Sequence, residues 1–416
     1  MITSEKIREI IKTWQLEIRQ TIIFDREIYP YLKELMKSDT LIVLHGIRRS
    51  GKTYLMYQLL QDTPDAIYIN FEDERFMGSD TGILDEIYQV YAGFFNPERP
   101  VMLLDEVQNI AGWEKFVARL HHKVKFIVSG SNATLMSSEY ATALTGRHIP
   151  CRIHPLSFKE FLTAQGGKDL DRYITESLAR IAAHWSDYVQ WGGFPYASLK
   201  QEKSLLKSTF EAILFRDVMP RFSIQNPAGM EMLARYLISN PGKLFSYRRL
   251  TEVANVKHED TVKTYIDHLE KAYLITLVSR FDYSIRKQVI NQKKCYPADT
   301  SITRFSGNMF SEERGRLLET IVCNHLLRQG HQVYYWKNEQ GKEVDFVASN
   351  GLKPHTLIQV SEQLNDDRVA KREISALLLG AEALKVDQLI LLTDKEPQIS
   401  VPEPITTKSI MDWMYD

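Results

Sequence analysis

Cysteine is scarce in this chain, with 3 among 416 residues, at Cys151, Cys295 and Cys323. They lie far apart in apolar stretches and show no metal-ligand spacing. Neither a disulfide framework nor a zinc site is therefore expected, and the three read as small buried thiols of a reducing compartment. Long apolar runs are missing too. No stretch of about 18 apolar residues occurs, so no membrane-spanning helix and no membrane partner is expected. The N-terminal MITSEKIREIIKTW is a charged amphipathic helix without the apolar centre of a secretion signal, and the cytoplasm is the expected location. Excess charge of either sign is also absent: Lys+Arg number 52, Asp+Glu 53, and the net charge is -1. Any contact with nucleic acid must then come from a local basic patch. Internal repeats and low-complexity tracts are not found.

What is present is the profile of a folded protein, 44% hydrophobic and 25% charged. The length suggests about three domains. In the first third, short apolar runs alternate with helical stretches: Leu41 to Leu44, Ala66 to Phe71, Val101 to Leu104 and Phe126 to Val128. This is the pattern of an α/β domain with a parallel sheet covered on both faces. From about Phe158 to Met219 the chain reads as helical, broken by Gly192-Gly193-Phe194-Pro195. Pro227 to Leu274 then reads as three helices, followed by two short strands with a basic loop between them, which is winged-helix order. The last section reads helix, three strands, helix, strand. The expected segments are an α/β core at 1–157, a helical lid or linker at 158–225, a winged helix at 226–298 and a small α/β unit at 299–416.

Gly46-Ile47-Arg48-Arg49-Ser50-Gly51-Lys52-Thr53 fits G-x-x-x-x-G-K-[ST] in full, between a predicted strand and a predicted helix. The glycines let backbone N–H groups wrap inward around phosphates. Lys52 would reach the terminal phosphates, and the Thr53 hydroxyl would ligate Mg²⁺. Ser50 and Tyr54 complete the expected nucleotide contacts, and Arg48 and Arg49 are candidates for contact with phosphate or with a neighbouring subunit. Asp105 and Glu106 end the Val101 strand, where such sheets place ligands. Asp105 would hold Mg²⁺, and Glu106 would polarise the attacking water. The expected cofactors are ATP and Mg²⁺.

These motifs, with the strand AIYINF and the polar strand end FIVSGS, resemble the additional-strand, catalytic-glutamate branch of P-loop ATPases, which includes the AAA+ proteins. By that resemblance Ser129, or Ser131, is the γ-phosphate sensor. Arg147 in LTGR, or Arg216 in FRDV, is then an arginine acting on a neighbour's phosphate. Gly193 and Pro195 resemble a lid element that borders adenine in the signalling ATPases. The series GIRRSGKT, INFEDERF, LLDEVQ, VSGSNA, LTGR, PLSFKEF, GGFP and FRDV resembles a family of archaeal and bacterial proteins. These join an AAA-type ATPase to a C-terminal domain of unassigned function. The resemblance spans essentially the whole chain and implies ATPase activity.

In the middle segment, Lys263, Arg280, Arg286, Lys287, Lys293 and Lys294 are the candidates for contact with a DNA backbone. The alternative is a winged helix that only packs against the ATPase. The last section resembles the PD-(D/E)xK nucleases, with Glu319 and Asp345 at the first two acidic positions. Gln359 and Ser361 stand where that pattern has glutamate and lysine, so a weakened, docking form is expected over a cutting one. The leading expectation is an oligomeric ATPase, ring or otherwise, working on DNA, with branched or junction DNA an attractive target. The rivals are a nucleotide-driven signalling or assembly switch and an ATPase-regulated, metal-dependent nuclease.

Overall fold

The computed structural model describes residues 2–131, 146–170, 174–306, 314–364, 367–395 and 401–415. The ends of two motifs, Asn132-Ala133 of VSGSNA and Leu144-Thr145 of LTGR, lie outside the described residues. The chain forms two compact units, Met1–His154 and Pro155–Asp416.

The first unit is built on a parallel sheet of β1 (Leu41–His45), β2 (Ile67–Asn70), β3 (Val101–Asp105), β4 (Lys125–Gly130) and β5 (His148–Arg152) in the order β2-β3-β4-β1-β5. Strand β4 lies between the strand leading into the glycine-rich loop and the strand ending in Asp105, which is the additional-strand arrangement expected from the sequence. The strands are short apolar runs because helices cover both faces. On one face α1 (Ser4–Gln20), α4 (Gly82–Phe95) and α5 (Trp113–Leu120) bury Ile7, Ile11, Leu84, Tyr91 and Trp113 against Val43, Ile69 and Leu104. On the other, α2 (Tyr29–Met36) and α3 (Lys52–Asp62) bury Leu32, Met56 and Leu59 against Ile42, Tyr68 and Leu103.

The second unit opens with helices α6 (Phe158–Ala164), α7 (Thr175–Trp191), α8 (Pro195–Lys200) and α9 (Lys203–Ala212), and a π-helical turn at Ile213–Val218. The PLSFKEF segment is a capping box. Ser157 accepts from the Glu160 amide while the Glu160 carboxylate accepts from the Ser157 amide. Glu160 is also paired with Arg328 at 3.2 Å. Next come α10 (Pro227–Ile238), β6 (Leu244–Phe245), α11 (Tyr247–Val253), α12 (Glu259–Lys271), β7 (Ile275–Arg280), α13 (Ile285–Ile290) and β8 (Lys293–Pro297). The expected basic loop between the two hairpin strands thus contains a short helix, α13.

Helices α14 (Thr300–Ser306) and α15 (Arg314–Arg328) lead into β9 (Gln332–Lys337), β10 (Glu343–Asn350), β11 (Lys353–Ser361), α16 (Asp367–Leu384), β12 (Gln388–Thr393), β13 (Ile405–Ser409) and α17 (Ile410–Tyr415). The hairpin does not stand apart from this last section. Strand β7 pairs in parallel with β9, Ser279 opposite Tyr334 and Arg280 opposite Tyr335, so one sheet runs β13-β12-β11-β10-β9-β7-β8-β6.

Candidate nucleotide site and a buried charge cluster

The glycine-rich loop joins β1 to α3. Gly46 has φ +140°, Arg49 +64° and Gly51 +100°. A side chain at Gly46 would bring Cβ within 2.2 Å of the Ile153 carbonyl oxygen. Only glycine lets the loop lie this close to the edge of the sheet. Lys52 is buried and its ammonium turns onto the loop, donating to the carbonyls of Gly46 at 3.0 Å and Ile47 at 3.1 Å. The Ser50 Oγ is buried without a hydrogen-bond partner among the described residues. A loop with an ammonium at its centre and an unmet buried hydroxyl fits a phosphate chain.

The carboxyl ends of β1, β3 and β4 bring the other candidates to the loop. Asp105 is fully buried, and its Oδ2 accepts from Thr53 Oγ1 at 2.7 Å and from Tyr68 O–H at 2.7 Å. Its Oδ1 accepts from Ser129 Oγ, and the same hydroxyl accepts from the Glu106 amide at 3.2 Å. The hard oxygens of Thr53 and Asp105 suit Mg²⁺. Glu106 sits at φ +50°, in the left-handed region that a glutamate seldom occupies. Its carboxylate accepts from Gln108 Nε2 at 2.5 Å. Burial raises its pKa; Lys52 opposes that shift and Asp105 adds to it. A half-buried glutamate in a strained backbone conformation, beside a lysine and an aspartate, is placed for proton chemistry.

Of the remaining candidates in this unit, Arg48 is ion-paired with Glu72 at 2.8 Å. Tyr54 is exposed on α3. Ser131 is buried just beyond β4, and Arg147 is exposed just before β5. The sequence reading missed Arg26. It is buried, and its guanidinium donates to the Ser50 carbonyl at 3.0 Å and the His154 carbonyl at 2.8 Å. Its only sequence signal is an arginine in the segment ahead of α2. The reading also missed Tyr68, which looked like an ordinary strand residue.

In the second unit the glycine pair of GGFP meets structural demands of its own. Gly192 has φ +71°, and a side chain there would bring Cβ within 1.9 Å of the Asp299 carboxylate. The Gly193 amide donates to that carboxylate at 2.7 Å. A Cβ on Gly193 would come within 2.3 Å of the Leu156 carbonyl oxygen. Pro195 begins α8, where proline is favoured. Arg216 is exposed on the π-helical turn.

The basic hairpin departs from expectation at Lys294. It was expected to meet DNA phosphate, but it is only 2% exposed. Its ammonium is paired with Glu343 at 2.8 Å and Asp345 at 3.2 Å. Lys294 and Tyr296 share one face of β8 and meet residues of β10, Tyr296 the Phe346 ring at 5.4 Å and Lys294 the carboxylates of Glu343 and Asp345. Burial alone would lower the Lys294 pKa, but Asp345, Glu319 and Glu343 outweigh it and hold the group charged. Lys293 is half-buried and donates to Ser279 at 3.2 Å. Lys263 is exposed but paired with Asp260 at 2.9 Å. Arg286 and Lys287 are exposed on α13, Lys287 at 3.7 Å from Asp282, and Arg280 is half-buried.

The structure does bring Glu319, Asp345 and Gln359 together. Gln359 Oε1 accepts from the Asp345 amide at 3.2 Å. Gln359 Nε2 donates to Glu373 at 2.6 Å, and Glu319 accepts from Tyr296 at 2.9 Å. Burial, reinforced by Asp345, raises the Glu319 pKa to about 7, while Lys294 and Tyr296 act the other way. Among the described residues no group of three or more His, Cys, Asp or Glu is arranged to hold a metal ion. The cation in this acidic cluster is Lys294.

Residues 38–162 match the family described as AAA domain, 182–312 a domain of unknown function, DUF8612, and 314–409 another, DUF4143. The chain is 32% identical over 363 residues to the uncharacterized protein MJ1544 of Methanocaldococcus jannaschii, covering 84% of this chain and 80% of that one. It is 28% identical over 404 residues to an uncharacterized protein of Haemophilus influenzae, covering 92% and 97%. Among solved structures, the Walker-type ATPase PABY2304 of Pyrococcus abyssi aligns over 68% of this chain and 95% of its own, at 18% identity and a TM-score of 0.43.

Proposed function

This chain belongs to the family of AAA-domain proteins that includes MJ1544 of Methanocaldococcus jannaschii, and on that premise we propose that it hydrolyses ATP with Mg²⁺. The carrying observation is the convergence of Lys52, Thr53, Asp105, Glu106 and Ser129 at the carboxyl ends of adjacent strands. Loop amides and Lys52 hold the phosphates. Thr53 and Asp105 hold Mg²⁺, which supplies charge neutralisation at the transferring phosphoryl group. Glu106 orients and polarises the attacking water, and Ser129 keeps Asp105 and the Glu106 backbone in register. Lys52→Ala should abolish ATP binding and turnover, and Glu106→Gln should cut turnover by at least about 10²-fold without weakening ATP binding. Mg²⁺-dependent hydrolysis that survives both substitutions ends this reading.

Beyond hydrolysis, we propose an oligomer that couples turnover to binding or remodelling of DNA. Exposed Arg147 and Arg216 are the candidates to reach a neighbouring subunit's phosphates. Exposed Arg286 and Lys287 on α13, with Arg280 and Lys293 behind them, are the candidates for a DNA backbone. Steady-state ATPase assays with single-stranded, duplex and four-way DNA at low salt test the coupling. Turnover indifferent to all three, with nucleotide retained through purification, would point to the assembly switch.

A further inference from the structure

We infer that Tyr68 is the positioning residue for Asp105 and sets how much Mg²⁺ the nucleotide site requires. This rests on the nucleotide-site reading above and adds a residue that no P-loop motif contains. Tyr68 lies on β2, where it pairs with Leu103 of β3, two residues before Asp105. Its hydroxyl donates to Asp105 Oδ2 at 2.7 Å, onto the oxygen that also accepts from Thr53. Ser129 holds the other oxygen. The carboxylate plane is therefore fixed from both sides, and Tyr68 and Ser129 leave the Thr53 side facing the phosphate loop.

The tyrosine is itself held in place. It is 1% exposed. The Trp14 ring of α1 meets it edge-on with centroids 5.4 Å apart, and the Tyr57 ring of α3 does so at 5.1 Å. Gln15 of α1 donates to the Ala66 carbonyl at 2.8 Å, tying the helix to the start of the same strand. A phenylalanine would satisfy the ring packing. Burying a phenolic oxygen costs free energy unless it is hydrogen-bonded, and the bonds of this hydroxyl to Asp105 and to the Tyr57 phenol meet that requirement.

Tyr68→Phe tests the assignment, because it removes one oxygen and keeps both ring contacts. ATP affinity in EDTA should match wild type. The Mg²⁺ concentration for half-maximal hydrolysis should rise about tenfold, the usual scale for one hydrogen bond to a charged group, and turnover at saturating Mg²⁺ should recover most of the wild-type value. Trp14→Leu, which keeps the hydroxyl and loosens the ring, should shift the Mg²⁺ requirement the same way by a smaller factor. This second variant carries the test if the first is unstable. An unchanged Mg²⁺ requirement in a folded Tyr68→Phe overturns the inference. A uniform loss of ATP affinity with and without metal also overturns it, since that marks a merely structural role. Wild type that neither binds nor hydrolyses ATP would instead overturn the nucleotide-site reading.

Discussion

The ammonium of Lys294 stands 3.2 Å from the Asp345 carboxylate and 2.8 Å from that of Glu343, inside a sheet that leaves the lysine 2% exposed. Lys337 meets the other Glu343 oxygen at 2.9 Å. Lys294 and Lys337 thus face Glu343 and Asp345, and Glu319 and Glu373 lie close enough to Asp345 to feel its charge. The folded chain itself supplies the positive charge that neutralises these acids.

Removing it should be costly. Lys294→Met leaves Asp345 buried without its partner and should destabilise the second unit by about 3–5 kcal/mol. Urea unfolding measures this, and Lys294→Met combined with Asp345→Asn should recover a substantial part of the loss. A single variant within about 1 kcal/mol of wild type would show that the pair is not as buried as described here.

Glu319 should make stability depend on pH. Its folded pKa of about 7 lies above the ordinary 4.5, so the folded chain binds this proton more tightly than the unfolded chain does. The stabilisation is complete below the ordinary value and is lost as pH rises through the folded one. Stability should therefore decline between about pH 4.5 and 7, and Glu319→Gln should remove that part of the decline in urea midpoints. Equal slopes in the two proteins would contradict it.

Glu106 should give hydrolysis an acid limb. The general base must be ionised, and burial holds its pKa above the carboxylate norm. Activity should fall as pH drops toward that raised value while ATP still binds. In Glu106→Gln the rate should drop by at least about 10²-fold, leaving ATP affinity near wild type and no such limb in what remains. Single-turnover rates against pH decide it.

Arg26 should matter to both folding and nucleotide binding. Arg26→Ala leaves the Ser50 and His154 carbonyls without their guanidinium and should cost about 2–3 kcal/mol of stability. ATP affinity should weaken about tenfold as the loop loosens. Arg26→Lys should rescue little, because a compact ammonium lacks the planar fork that spans both carbonyls. Full rescue by lysine would reduce the role to charge.

The candidate site was largely legible where one stretch of chain supplies several of its parts. Gly46, Gly51, Lys52 and Thr53 lie in eight consecutive residues because a phosphate nest is made from contiguous backbone, and Asp105-Glu106 follow directly on an apolar strand. Arg26 and Tyr68 were not legible. Each acts through a hydrogen bond to a residue more than 20 positions away, and neither lies in a recurring spacing. Lys294 was misread for a related reason. Lys293 stays half-buried while Lys294 is enclosed, and which of two adjacent lysines is enclosed depends on what the strand pairs with.

By itself, the sequence determined the apolar strands of the parallel sheet and the phosphate loop, because apolar periodicity and glycine spacing are local constraints that a chain carries wherever it folds. Tertiary structure alone decided that the hairpin and the C-terminal strands share one sheet, and that a lysine from the former neutralises the acids of the latter. Sheet pairing and the fate of a buried charge are set by groups distant in sequence, and their energies exist only once those groups are brought together and water is excluded.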